Sequence, residues 1–165
     1  MDLQATHTFD APLADVWAMF RDVDAHVAKF TAMGHRNIEV LEHHADAERV
    51  KVVITRLIDV ELPGFARKVL KPTNTVVSTD EWQADGQGGY RGTFRLEAQG
   101  QPVHITGTTH ISADGDDRTR YETTVNVQVK VPLIGGRIAD WAKGDTTKQI
   151  DDEFAAGDRW LAAHR

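Results

Sequence analysis

The chain has 165 residues, 41% of them hydrophobic and 27% charged, with a formal net charge of −6 and no cysteine. That composition suits one folded domain over residues 1–165, burying roughly 70% of the surface its unfolded chain exposes, and it argues against disorder. It excludes disulfides, thiolate metal sites and cysteine nucleophiles. It offers no overall basic charge for a nucleic-acid backbone and no apolar run of the roughly 18 to 20 residues that a membrane-spanning helix needs. The opening Met1-Asp2-Leu3-Gln4 has neither the basic start nor the apolar stretch of a secretory signal, so a cytoplasmic protein is expected.

Residues 3–9 read as a short strand. Asp10 and Pro12 then open a helix, the aspartate to cap free N–H groups and the proline for the first turn. Leu13, Val16, Trp17 and Phe20 follow at i, i+3, i+4 and i+7, one apolar face. Asp22 or Asp24 caps a second helix with Val23, Val27 and Phe30 inward, and Gly34 stops it. From there the period changes to two. Residues 36–43 and 49–58 are expected to pair about a turn near Asp46.

Residues 59–72 do not alternate. The stretch 63–70 suits a short helix capping the core or an irregular crossing. Phe65, Val69 and Leu70 beside Arg67, Lys68 and Lys71 also suit a cavity lid or peripheral contact with a membrane surface. Strands follow at 74–83, 90–98, 102–112 and 118–131, joined by Gly- and Asp-rich connections, the signature of an antiparallel meander. Pro132 ends the last strand. From residue 133 or 134 to about 163, Ile134, Ile138, Trp141, Ala142, Ile150, Phe154 and Leu161 trace the apolar stripe of one long helix.

This order of elements, with Ala11-Pro12-Leu13-Ala14-Asp15-Val16-Trp17 just after the first strand and an aspartate at 22, resembles the START-like superfamily. That superfamily is also called SRPBCC or helix-grip. Within it the chain most resembles a bacterial family with no assigned function. The resemblance implies an α+β fold, with a curved seven-stranded antiparallel sheet, two short helices after the first strand and a long C-terminal helix lying across the sheet. It also implies a cavity between sheet and helix. Members of the superfamily bind lipids, sterols, polyketides or hormones there, and some are cyclases or dehydratases.

Alternation assigns inward rows to the strands: Val50, Val52, Ile54 and Arg56; Val76, Ser78, Asp80 and Trp82; Tyr90, Gly92, Phe94 and Leu96; Val103, Ile105, Gly107, Thr109 and Ile111; Tyr121, Thr123, Val125, Val127 and Val129. Gly92 and Gly107 are expected either to open space beneath the sheet or to mark bends in a filled core. A buried Arg56 needs a partner, and Asp80 is the candidate. With Ser78, Thr109 and Thr123 the pair forms the expected polar anchor of an apolar pocket. The alternative is a strand-end ion pair facing solvent. Trp82, Tyr90, Phe94, Ile105, Tyr121 and Trp141 complete the expected ligand-binding set, and Trp82 is the expected sensor of a ligand.

The eight histidines show no metal-binding spacing, and no nucleophile elbow, phosphate loop or cofactor motif occurs. No metal, cofactor or catalytic residue is therefore assigned. Asp80, Tyr90, Tyr121, His26 and His35 are the groups capable of acid–base chemistry. Three functions follow as alternatives: binding of a lipid or other apolar small molecule, as carrier, sensor or store; a cyclase, dehydratase or hydrolase working in the same cavity; and a protein-interaction module with a filled core.

Overall fold

A computed structural model of the chain describes residues 2–164. Its elements in order are β1 (Asp2–Phe9), α1 (Leu13–Arg21), α2 (Val23–Ala32), β2 (Arg36–Ala45), β3 (Arg49–Asp59), β4 (Thr73–Ala84), β5 (Tyr90–Ala98), β6 (Val103–Ala113), β7 (Thr119–Val129) and α3 (Gly135–Ala163). The strands form one seven-stranded sheet in the order β1-β7-β6-β5-β4-β3-β2, antiparallel at every pairing. This is the helix-grip, START-like arrangement, with α3 running along the inner side of β7 and β1.

Helix starts and stops are local. Pro12 is the N-cap residue of α1, one position earlier than a first-turn proline, and its carbonyl takes the N–H groups of Asp15 and Val16. Asp22 caps α2, its carboxylate accepting from the Asp24 N–H at 2.9 Å. The buried face of α2 is Ala25, His26 and Phe30, with Val23 and Val27 only half-buried. Gly34, at φ +83°, ends the helix, and the His35 N–H returns to the Phe30 carbonyl at 3.0 Å. This is a Schellman-type stop that only glycine adopts without strain. It also fixes where His35 points.

The sheet register is the one that alternation predicts. Val50, Val52, Ile54 and Arg56 are all buried on β3, and Val76, Ser78 and Trp82 on β4. Across the sheet, Ile54 lies opposite Ser78, Ser78 opposite Leu96, Leu96 opposite Ile105 and Ile105 opposite Val127. Edge strand β2 is broken by register shifts and leaves Leu41 exposed. Such irregularity blunts an edge against pairing with other chains.

The stretch 60–72 is an irregular crossing with one helical turn, in which Leu70 N–H bonds the Ala66 carbonyl at 2.8 Å. Leu62, Ala66 and Leu70 are buried against Ile138 of α3. The segment therefore caps one end of the core.

The two inward glycines do not open space. A side chain at Gly92 would fall on Trp82 and Thr109, and one at Gly107 on the ring of Phe94 and the Thr124 carbonyl. Each glycine lets a neighbouring ring lie flat against the sheet. We expect Gly107→Ala to cost about 1–3 kcal/mol, the usual penalty for overpacking. Urea unfolding checks this. Phe94→Leu in the same chain should recover part of the loss, and additive single costs would show that the ring is not what occupies the space.

Candidate functional site

Between the sheet, α2, α3 and the 60–72 crossing lies a cavity of about 220 Å³. Its wall is divided. Toward the ends of β5, β6 and β7 it is apolar, with Leu96, Ala98, Val103, Ile105 and Val125, closed by Leu62 and Leu70 of the crossing and by Trp141 and Ala142 of α3. Toward β3, β4 and α2 it is polar, with His26, Lys29, His35, Arg56, Ser78 and Asp80. Helix α3 adds Asp145, Gln149 and Glu153 at successive spacings of four, one cavity-facing stripe.

Arg56 is the centre of the polar side. It is 2% exposed. Its Nε donates to His35 Nδ1 at 3.1 Å and its Nη1 to Ser78 Oγ at 2.7 Å. The guanidinium lies 3.7 Å over the ring of Phe30. Burial lowers its pKa to about 10, against the field of Glu153 and Asp80, so it is charged at neutral pH. Burial and the adjacent Arg56 charge hold His35 down to about 4, and it is therefore the neutral acceptor of this pair.

The expected Arg56–Asp80 ion pair does not form. Among the described residues Arg56 contacts no carboxylate, and its direct partners are Ser78 and His35. The register gives the reason: Arg56 lies opposite Val76, whereas Asp80 lies opposite Val52, four residues further along β4. Asp80 shares the wall with Arg56 but makes no hydrogen bond or ion pair among the described residues. Burial pushes its carboxyl up to about 6. Lys29 and Arg56 oppose the rise and Glu153 adds to it.

The other residues singled out from the sequence fall as follows. Trp82, Phe94, Ile105, Thr109, Tyr121, Thr123 and Trp141 line the cavity with Arg56, Ser78 and Asp80. Tyr90 does not. It stacks on Trp17 at 3.8 Å in the core beneath. Trp82 stacks on Phe20 at 4.9 Å. Burial drives the Tyr121 phenol well above its ordinary range.

His26 is a core histidine. It is held neutral, near 3, by burial and bonds the Phe20 carbonyl at 2.8 Å, tying the end of α1 to α2. Lys29, Gln149 and Glu153 had gone unassigned. Lys29 and Glu153 approach to 3.9 Å and bridge α2 to α3 at the edge of the cavity. Among the described residues no cluster of three or more His, Asp or Glu is placed to hold a metal, and no helix is long and apolar enough to cross a membrane.

Asp80 gives the site a measurable pH signature. Its carboxyl ionises near 3.8 when unfolded and near 6 in the fold. Above pH 6 the ionised group therefore weighs against folding. As pH falls through 6 toward 3.8 the folded state takes the proton first and the cost is relieved. We expect Asp80→Asn to stabilise the protein by up to about 3 kcal/mol at alkaline pH, with the gain fading to nothing near pH 4. Thermal melts of variant and parent at each pH isolate this from the opposing acid sensitivity of His26 and His35. A gain independent of pH would refute the assignment.

The same fold occurs in solved structures of low sequence identity. An aromatase/cyclase (Zhui) from Streptomyces sp. R1128 matches with a TM-score of 0.68 at 15% identity, covering 98% of this chain and 93% of that one. Norcoclaurine synthase from Thalictrum flavum, solved with dopamine and hydroxybenzaldehyde, matches at 0.60 and 12% identity, covering 100% and 88%. A START superfamily protein from Mycobacterium smegmatis matches at 0.59 and 15% identity, covering 99% of each chain. No curated protein matches the chain in sequence. The family model described as "Protein of unknown function (DUF2505)" matches residues 4–161, and the chain belongs to that family.

Proposed function

We propose that this protein binds a lipid or other apolar small molecule in the cavity between its sheet and α3, as a carrier, sensor or store. The observation that carries the reading is the divided wall: an apolar end built from β5, β6, β7 and the 60–72 crossing, and a cluster of hydrogen-bonding groups around Arg56. Pockets for small molecules have this make-up, with apolar surface for affinity and a few placed polar groups for orientation. An interaction module would instead have a filled core, and the cavity argues against it.

A second reading rests on Asp80. A carboxyl with no hydrogen bond among the described residues, with a pKa raised by burial to about 6, facing a cavity, is equipped for proton transfer. Two proteins of the same fold, the Streptomyces aromatase/cyclase and the Thalictrum norcoclaurine synthase, are enzymes. On this reading Asp80→Asn abolishes turnover while ligand still binds. On the carrier reading there is no turnover to lose, and the same variant changes ligand affinity alone.

The carrier reading predicts that native mass spectrometry of the purified protein, followed by organic extraction, yields an apolar adduct near one per chain. Trp82, on the cavity wall, should report titration of such a ligand by fluorescence. Ile105→Trp, which adds volume at the apolar end, should reduce binding at least about tenfold while the fold persists. Unchanged binding in that variant would place the ligand outside the cavity.

A further inference from the structure

We propose that the ligand of this cavity carries a carboxylate, or an equivalent anionic oxygen group, that pairs with the open Nη2 of Arg56. The inference rests on the reading of the cavity as a ligand site and goes beyond it by naming the ligand's charge.

The argument begins with what Arg56 leaves unused. A guanidinium has five N–H donors in a planar fork. Here Nε is spent on His35 and Nη1 reaches Ser78, both neutral acceptors. Nη2 has no partner among the described residues. It is not sealed in the wall either, because among the described residues the fully enclosed unpartnered side-chain atoms are Arg21 Nε and Asn74 Oδ1. It therefore opens on the cavity that Arg56 lines. Ser78 accepts from Arg56 through its Oγ, so its own hydroxyl hydrogen remains to donate beside Nη2. The open Nη2 of the guanidinium and the hydroxyl bonded to its Nη1, on one buried wall, suit the two oxygens of a carboxylate.

The direct contacts of Arg56 agree. Phe30 covers one face of the guanidinium with its ring, which favours the cation but supplies no counter-charge. His35 is neutral. The carboxylates that line the cavity are Asp145 and Glu153 from α3 and Asp80 from β4, and Asp145 accepts from Gln149 Nε2 at 3.4 Å. Glu153 is engaged by Lys29 of α2 at 3.9 Å. Asp80 lies two residues beyond Ser78, about 6.6 Å along the strand, and takes a proton more readily than an ordinary carboxyl. A buried cation in contact with neutral partners only is completed by an anion arriving from the cavity.

The placement of the site selects the rest of the ligand. From Ser78 the inward row runs through Leu96 and Ile105 to Val127. A molecule anchored at Arg56 thus lays its body along the apolar end of the cavity. The class is a monocarboxylic acid with an apolar body, such as a fatty acid or an aromatic acid.

Two matched pairs of probes test this on the full chain by calorimetric titration: decanoate against decan-1-ol, and 2-naphthoate against 2-naphthalenemethanol. At about pH 8 the acids are ionised, and in at least one pair the acid should bind about tenfold or more tighter than its alcohol. Arg56→Met should remove that preference and leave the affinity for the alcohol within about threefold. Arg56→Lys, which keeps the charge but not the fork, should retain a reduced preference. Alcohols that bind as tightly as the acids to the parent protein overturn the inference and leave the apolar-ligand reading standing. That comparison needs no variant, so it holds even if Arg56→Met fails to fold. A preference that survives in a folded Arg56→Met also overturns it. If no member of either pair binds, the apolar-ligand reading fails and this inference fails with it.

Discussion

The cavity depends on keeping one positive charge inside the wall of the fold. Taking a guanidinium out of water costs several kcal/mol even after relaxation. A hydrogen bond involving a charged group returns about 1.5–3 kcal/mol and a desolvated cation–π contact about 2 kcal/mol. Arg56 is met on three sides by such groups: Ser78 from β4, His35 from the end of α2, and the face of Phe30 from α2 itself. Each arrives by a separate local rule. Strand register sets Ser78 diagonal to Arg56. The glycine stop at Gly34 turns His35 inward. The helical face that buries Ala25 and His26 also carries Phe30. Burial and the Arg56 charge together keep His35 neutral, so the imidazole accepts where an imidazolium would repel.

From that point the shape of the cavity follows. Gly92 and Gly107 let Trp82 and Phe94 lie against the backbone, so two large rings form floor rather than filling. Phe20, Tyr121 and Phe154 close one side as an aromatic wall, with Phe20 and Tyr121 stacked at 6.0 Å and Tyr121 edge-on to Phe154 at 5.2 Å. The Lys29–Glu153 contact spans the same side between helices. At the opposite end the crossing after β3 has no regular structure, and three buried residues, Leu62, Ala66 and Leu70, suffice to seat it on Ile138. The cavity exists because α3 presents Asp145, Gln149 and Glu153 to the sheet where a core helix would present leucines.

Alternation made most of this legible in the sequence. Period-two rows on β3 to β7 assigned the inward faces without a slip, because any slip would have buried Lys51, Glu81 and Arg95. Those rows brought Arg56, Ser78, Asp80, Trp82, Thr109 and Thr123 to one wall. Pairing within the wall was not legible. An arginine and an aspartate on neighbouring inward rows suggested a bond, but rows do not reveal the stagger between strands, and here it separates the two by four residues. Tyr90 alternates correctly and still misses the cavity, since Trp17 of α1 covers it. The contributions of α2 and α3 were hidden for another reason. Along α3 the sequence expectation rests on the apolar stripe and assigns no role to Asp145, Gln149 and Glu153 beside it. The polar ladder at i, i+4 and i+8 was the available signal.

Whether the buried polar groups serve the fold or a ligand turns on what they leave over. A buried arginine can be purely structural, fixing one packing among several. A structural role is best served when every donor is matched inside the protein. Ser78 and His35 satisfy part of Arg56, yet Nη2 stays open on the cavity. Asp80, opposite in charge and on the same wall, is left without a hydrogen bond and is held in a state that weighs against folding at neutral pH. Had stability alone shaped this wall, the two groups would be in contact or replaced by apolar residues of similar volume. They are instead kept apart by the stagger of β3 on β4, each facing the same enclosed space. On the proposed reading a ligand in the cavity supplies the missing contacts, and the arrangement gains its stabilisation then.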